Sequence, residues 1–232
     1  MTQSALNGRT PAVQDYAKAI YRLEARSGSA TTNDLAAELD VRPASVSGML
    51  KKLDALGLVR HEPYRGVRLT EQGRRVALEV IRHHRLLELF LVETLGMSWD
   101  EVHAEAEVLE HALSEELEEL IAAKLGDPTV DPHGDPIPSR ALTVSEPATK
   151  TLDLLETGEH ATFVRISDSD PEMLRYLSER GIAVGDDVEM VGREPFEGPY
   201  SVRIGGREHA LGPTLVRSMR VQRPTGGPGS KR

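Results

Sequence analysis

The chain has 232 residues, 28 Lys+Arg against 37 Asp+Glu, a formal net charge of −9, and no cysteine. That length allows one large domain or two to three small ones, and the lack of cysteine excludes disulfides, zinc ribbons, iron–sulfur clusters and thiol nucleophiles, so any metal must be held by oxygen and imidazole nitrogen. No apolar run is long enough to span a bilayer and no charged-then-apolar signal opens the chain, so a cytoplasmic protein with no membrane partner is expected.

The average charge hides an asymmetry. Residues 1–75 hold twelve Lys+Arg and eight Asp+Glu, whereas the remainder holds sixteen and twenty-nine. A basic front with an acidic remainder suits a nucleic-acid reader joined to a cation binder. Residues 1–10 are polar and read as loose. From Ala12 to Arg26 the apolar positions Val13, Ala17, Ile20, Tyr21 and Leu23 follow helical spacing. "GSATT" breaks that helix, and Thr32 is expected to cap the next, "NDLAAELD". A third helix, "VRPASVSGMLKKLDALG", has Pro43 near its first turn and Gly57 at its end. "LVRHEPYRGVRLTEQG" alternates around a turn and reads as a hairpin. Three helices followed by a hairpin make a winged helix-turn-helix over residues 1–75.

"EQGRRVALEVIRHHRLLELFLVETLG" predicts one long helix. "SWDEVHAEAEVLEHALSEELEELIAAKLG" predicts another, with Ser98 and Glu101 as its capping box. Their apolar content predicts packing or dimerisation over residues 76–140. Proline and aspartate dominate 127–148, and a linker is assigned to 141–160. Short alternating runs over 161–222 suit a small five-stranded β-barrel. Residues 223–232 read as a disordered tail. The fold class is therefore mainly α with small β.

On the third helix, Pro43, Ala44, Ser45, Ser47, Gly48 and Lys51 take early exposed positions, and small residues there let a helix sit deep in the major groove of double-stranded DNA. Arg42, Lys51, Lys52 and, at the wing tip, Arg65 suit phosphate contacts, which fix register without reading bases. Winged helices also serve as protein-interaction modules, and a basic face is often merely solvated.

The stretch "HAEAEVLEH" sets His103, Glu107, Glu110 and His111 within an arc of roughly 100° on a helix. His84 and Glu88, four apart, share a face of the preceding helix. Two facing helices offering His and Glu suit a binuclear metal site. The competing reading is a solvated acidic helix whose histidines pair with its own carboxylates. A metal-dependent hydrolase is a further alternative, since clustered His and carboxylates activate water. No separate nucleophile or oxyanion device is visible, and the expectation is a non-enzyme.

The order winged helix, two-helix domain, "DPHGDPIP" and small barrel, together with "HRLLE" and "DEVHAEAEVLEH", resembles the diphtheria toxin repressor family of metal-dependent transcription regulators over residues 12–221. The resemblance implies a homodimer that binds palindromic operator DNA when loaded with metal, and an SH3-like (FeoA-like) barrel. It also implies a primary metal site at Asp15, Glu107, Glu110 and His111. Its second site would use His84, Glu88 and His103, completed from "SDSDPE" by Asp168, Ser169, Asp170 or Glu172. Aspartate and glutamate at positions 15 and 107 match the manganese-sensing branch, where the iron-sensing branch has methionine and cysteine. Small two-domain manganese regulators carry an acid where this chain has Lys18, so the three-domain type is the better match. Three carboxylates and one imidazole are hard ligands suited to Mn²⁺. Fe²⁺ is the alternative, with Zn²⁺, Co²⁺ or Cd²⁺ as substitutes.

Overall fold

The computed structural model describes residues 10–62 and 66–223. They form two compact units. The first comprises residues up to Leu87, Ala106–Asp127 and Ile137–Val144; the second comprises Glu88–Glu105, Pro128–Pro136 and the chain from Ser145.

The first unit opens with helix α1 (Pro11–Ser27), which has Pro11 in its first turn and ends on Gly28 at φ 82°. Glycine takes that left-handed cap without a Cβ penalty. Helix α2 (Thr32–Glu38) starts one residue earlier than its sequence signal suggested. Thr31, not Thr32, is the cap, in a reciprocal box with Asp34. Helix α3 (Pro43–Ala55) buries Val46, Leu50 and Leu53. Strands β1 (Val59–Glu62) and β2 (Gly66–Leu69) pair antiparallel, and a bridge from Val67 to Ala30 fixes this wing to the helices. Fully buried Ile20, Leu35, Leu53 and Leu58 centre the core; each contributes about 1.5–3 kcal/mol by leaving water. Glu24 on α1 accepts from the Leu69 amide and from Arg74, which joins α1 to the wing and to the next helix. This is the expected winged helix-turn-helix.

Helix α4 (Glu71–Leu95) begins in the first unit and ends in the second. The single helix expected over 98–126 is two, α5 (Val102–Leu109) and α6 (Glu115–Lys124). Ser114 is the reason: its hydroxyl accepts from the Leu117 amide and starts a new helix. The capping box expected at Ser98 and Glu101 does not form, because the Ser98 hydroxyl donates to Asp100 instead.

The second unit contains β3 (Lys150–Thr151), a 3₁₀ turn (Leu152–Leu154), β4 (His160–Arg165), α7 (Pro171–Ser178), β5 (Asp187–Arg193), β6 (Tyr200–Ile204), β7 (Arg207–Leu211), α8 (Pro213–Ser218) and β8 (Arg220–Gln222). The antiparallel sheet has six strands in the order β3-β8-β4-β5-β6-β7, one more than expected. The extra strand is only two residues long and lies inside the stretch read as linker, where Leu152 and Leu155 join the barrel core around Phe163, Met190 and Val202. Among the described residues no helix is long and apolar enough to cross a membrane.

In this unit the loop 131–135 is pinned to the barrel. Gly134 sits at φ +85°, and a Cβ there would overlap the Val164 carbonyl. Gly158 has a similar φ of +84° but open space around it. Gly134→Ala is therefore expected to cost about 3 kcal/mol in chemical denaturation, against about 1 kcal/mol for Gly158→Ala, where only backbone strain acts. Equal losses would show that the loop yields without cost.

Candidate metal centre

Among the described residues, carboxylates and imidazoles gather in both units. In the first unit, α1 presents Gln14, Asp15 and Lys18 on one face, as offsets of three and four residues require. Opposite lie Glu107 near the end of α5 and Glu110 and His111 in the turn beyond it. The His111 ring is held between two side chains of α1: Nε2 is 3.0 Å from Asp15 Oδ1, and Nδ1 is 2.9 Å from Gln14 Oε1. Glu110 is fully buried. Its Oε1 lies 3.5 Å from His111 Nε2, and its Oε2 lies 2.6 Å from His84 Nδ1 on α4. Asp15, Glu110 and His111 bring one ligand atom each within 4.8 Å of one another, as do His84, Glu107 and Glu110. Lys18, also buried, donates to Glu107 at 2.7 Å and to Glu110 at 2.6 Å.

The electrostatics favour a further cation. Burial raises the Asp15 carboxyl above its usual range; His111 and Lys18 oppose this, while Glu110 and Glu107 add to it. Asp15, Glu107 and Glu110 against the single Lys18 ammonium leave two negative charges, the count one divalent ion neutralises. The donors are oxygen and nitrogen, with no sulfur. The cluster fits a hard divalent cation. Beneath it, His83 Nδ1 meets the Glu110 carbonyl at 3.1 Å, and the buried Arg82 donates to Glu118 and to the Pro138 carbonyl.

In the second unit, Glu88 from α4 is fully buried and His103 from α5 faces it at 3.2 Å. Asp168, between β4 and α7, lies 3.1 Å from the same His103 Nδ1. His133 approaches the other Glu88 oxygen, with Nδ1 at 3.8 Å, while its Nε2 donates to the Trp99 carbonyl at 2.8 Å. The Trp99 ring stacks on the imidazole, 5.8 Å between centroids. Asp131 accepts from the His133 and Asp135 amides and shapes the loop. Glu88, Asp131 and His133 form a buried donor group within 4.8 Å. Hydrogen bonds that His103 donates to Asp168 and Glu88 raise its pKa to about 10. Burial opposes protonation of His133, but Glu88, Asp131 and the Trp99 carbonyl together raise its pKa to about 9. Buried His133 Nδ1 has no hydrogen-bond partner and points at a carboxylate, which is the setting a bound cation satisfies.

The sequence placed His103, Glu107, Glu110 and His111 on one helical arc. The structure divides them, since His103 belongs to the second unit and Glu110 and His111 lie past the helix end. His84, read with Glu88 and His103, also lies 2.6 Å from Glu110 through its Nδ1. Of the barrel candidates, Asp168 faces His103. Ser169 Oγ bonds Ser167 Oγ, Asp170 caps α7 through the Met173 amide, and Glu172 is exposed in the first helical turn. Asp131 and His133 were not singled out, although "DPHGDP" contains them.

Residues 10–67 match the model described as "Iron dependent repressor, N-terminal DNA binding domain", 70–139 match "Iron dependent repressor, metal binding and dimerisation domain", and 150–223 match "FeoA domain". The chain belongs to the diphtheria toxin repressor family. The diphtheria toxin repressor of Corynebacterium efficiens is 27% identical over 227 residues, covering 91% of this chain and 95% of that one. The iron-dependent repressor IdeR of Mycobacterium tuberculosis is 38% identical over 133 residues, 57% of this chain and 58% of that protein, so the matched stretch spans little more than half of that relative. A solved manganese-dependent transcriptional repressor in complex with manganese is 43% identical, with a TM-score of 0.80, covering 90% of this chain and 98% of that one.

A diphtheria toxin repressor fold puts weight on the surface of α3. Arg42, Pro43, Ala44, Ser45, Ser47, Gly48, Lys51 and Lys52 are all exposed, while Val46, Leu50 and Leu53 face the core. Arg65, assigned to the wing tip, lies outside the described residues.

Proposed function

We propose that this protein is a manganese-responsive transcriptional repressor that binds a palindromic operator as a metal-loaded homodimer, in the cytoplasm, and lowers expression of metal-uptake genes. One observation carries the reading: Asp15, on the first helix of the winged-helix segment, and Glu110 and His111, beyond α5, converge on one sulfur-free donor group. A bound divalent ion there supplies the positive charge that draws these carboxylates together. The protein's own groups do the rest. Gln14 fixes the ring orientation of His111. His84 holds one Glu110 oxygen, and the other accepts from Lys18 and faces His111 at 3.5 Å. Asp15 thereby couples the stance of α1, and of the exposed α3 packed in the same core, to the segment after α5. Metal favours the DNA-competent stance only by its differential affinity for it, and operator DNA tightens metal binding by the same factor.

A second copy of the chain is the proposed cover for Val108, Leu109, Leu117 and Leu120, large apolar side chains left exposed in the first unit. A two-fold dimer places two α3 helices on successive half-sites. Hard donors favour Mn²⁺; the likeness to iron-dependent repressors supports Fe²⁺ as the second reading. The family gives no support to a hydrolase. The test selects operators from a random DNA pool with Mn²⁺ and then runs gel shifts across Mn²⁺, anaerobic Fe²⁺, Zn²⁺, Co²⁺ and Cd²⁺ with a chelator control. Mn²⁺ is expected to act most strongly. Binding that survives the chelator would sink the reading, and stronger activation by Fe²⁺ would move it to iron.

We also propose that Glu88, His103, Asp131, His133 and Asp168 hold a second ion. Imidazoles with pKa values of about 10 and about 9 are protonated in the free protein at pH 7.5, and coordination needs them neutral. In an Asp15→Ala background, Mn²⁺ binding should release about two protons per chain and weaken as pH falls. Calorimetry in buffers of different ionisation enthalpy measures this; zero release would remove both histidines from the ligand set.

A further inference from the structure

Consecutive residues of α4 grip Glu110 at its two ends. His84 Nδ1 lies 2.6 Å from the carboxylate, and His83 Nδ1 lies 3.1 Å from the main-chain carbonyl. We propose that His83 is a positioning residue of the first unit's cluster: it fixes the turn that presents Glu110 and His111, without being a member of the donor groups. This rests on the metal-regulator reading and adds to it a residue that shapes the centre from outside the donor set.

Glu110 follows the last residue of α5, where helix carbonyls run out of partners within the helix. Its amide still bonds the Ala106 carbonyl, as a helical residue's would, while its own carbonyl accepts from His83. The peptide that carries this carbonyl joins Glu110 to His111, so one hydrogen bond sets where both side chains begin. The ring is itself held. His83 is buried, its Nε2 lies 3.0 Å from Glu118 Oε2, and the other Glu118 oxygen accepts from Arg82 at 2.6 Å. Arg82 in turn donates to the Pro138 carbonyl at 2.7 Å. The chain of contacts therefore runs from the Glu110 turn through α4 and α6 to the segment after the 131–135 loop. A ring engaged at both nitrogens keeps one orientation, and a buried polar chain is rigid when its members are paired.

The test separates the two ring nitrogens. Asparagine carries its amide nitrogen at the place of Nδ1, and glutamine carries its own at the place of Nε2. His83→Asn therefore keeps the bond to the Glu110 carbonyl and gives up Glu118; His83→Gln keeps Glu118 and gives up the carbonyl. Each loses one buried contact, so both should unfold at lower denaturant than the parent. Mn²⁺ affinity should part them. It is measured by calorimetry in a His103→Ala background, which removes a donor of the second unit's cluster. His83→Gln should bind Mn²⁺ about 10-fold more weakly than that parent, the low end for a group that orients a ligand, and His83→Asn should bind close to it. Equal losses in both, a loss confined to His83→Asn, or unchanged binding in His83→Gln would overturn the inference and leave the metal reading standing. The native chain supplies a check that needs no variant to fold. In crystals grown with Mn²⁺, His83 Nδ1 should stay within hydrogen-bond distance of the Glu110 carbonyl, and a separation beyond about 4 Å would refute the proposal. A His103→Ala parent that binds no Mn²⁺ would overturn the metal reading itself, and this inference with it.

Discussion

Asp15→Ala is expected to remove metal-dependent operator binding, a loss of about 100-fold in Mn²⁺-stimulated affinity, near the upper end of ordinary coupling between two sites. The protein should remain a folded dimer. Asp15 is half-buried, and what it faces is a polar cluster, not the apolar core of α1. Burial raises its pKa, and Glu110 and Glu107 add to the shift. A carboxyl whose folded pKa lies above its unfolded value contributes stability only at low pH, and that contribution is lost as pH rises through the folded pKa. At pH 7 the metal-free native chain therefore bears a cost that Asp15→Ala removes. The metal-free variant should melt at the same temperature as the parent or higher at pH 7, and the difference should vanish below about pH 4. Thermal melts of metal-free protein and Mn²⁺-dependent gel shifts check the two halves separately. A variant that responds to Mn²⁺ like its parent would remove Asp15 from the centre. One that melts far lower at pH 7 would make its role structural.

The parts of the molecule that were readable in the sequence are those governed by local rules. The three helices and the wing carry their own punctuation: Pro11 and Pro43 in first turns, Gly28 past a helix end, and Val46, Leu50 and Leu53 at helical spacing. The clusters were partly hidden because they depend on where helices stop. The apolar period runs through residues 98–126 without a gap, yet Ser114 followed by Glu115, Glu116 and Glu118 is a helix-start signal. Given its weight, that signal would have placed Glu110 and His111 in a turn. Likewise "SDSDPE" marks Asp170 as a helix cap, because an aspartate before a proline at the first helical position is a cap. Nothing local marks His133. A Pro- and Asp-rich stretch reads as linker, and only the fold reveals that its histidine is buried under Trp99 and opposite Glu88. Two-residue β3 has no period to detect.

Glu110→Gln should be the most damaging single change in the first unit, with a metal-free stability loss of about 3 kcal/mol, the low end for breaking a buried ion pair. The side chain is fully buried between Lys18 at 2.6 Å and His84 at 2.6 Å. Neutralising it leaves the buried ammonium facing only the more exposed Glu107. Lys18→Met should cost a similar amount from the other side, leaving the carboxylate with His84 and, at 3.5 Å, His111. The double variant Lys18→Met/Glu110→Gln removes both charges, so its loss should fall short of the sum of the singles by about 2 kcal/mol. Metal response should follow a different rule. It should be absent from Glu110→Gln and from the double variant alike, since restoring charge balance does not restore a donor oxygen. Denaturant unfolding and Mn²⁺ binding across the four proteins measure both properties. Additive stability losses would mean that Lys18 and Glu110 are not energetically paired, and recovered Mn²⁺ response in the double variant would mean that Glu110 acts through charge balance alone. The expected pattern assigns Glu110 two partners of the same sign: a fixed cation that lets it be buried, and an exchangeable one that it is buried to meet.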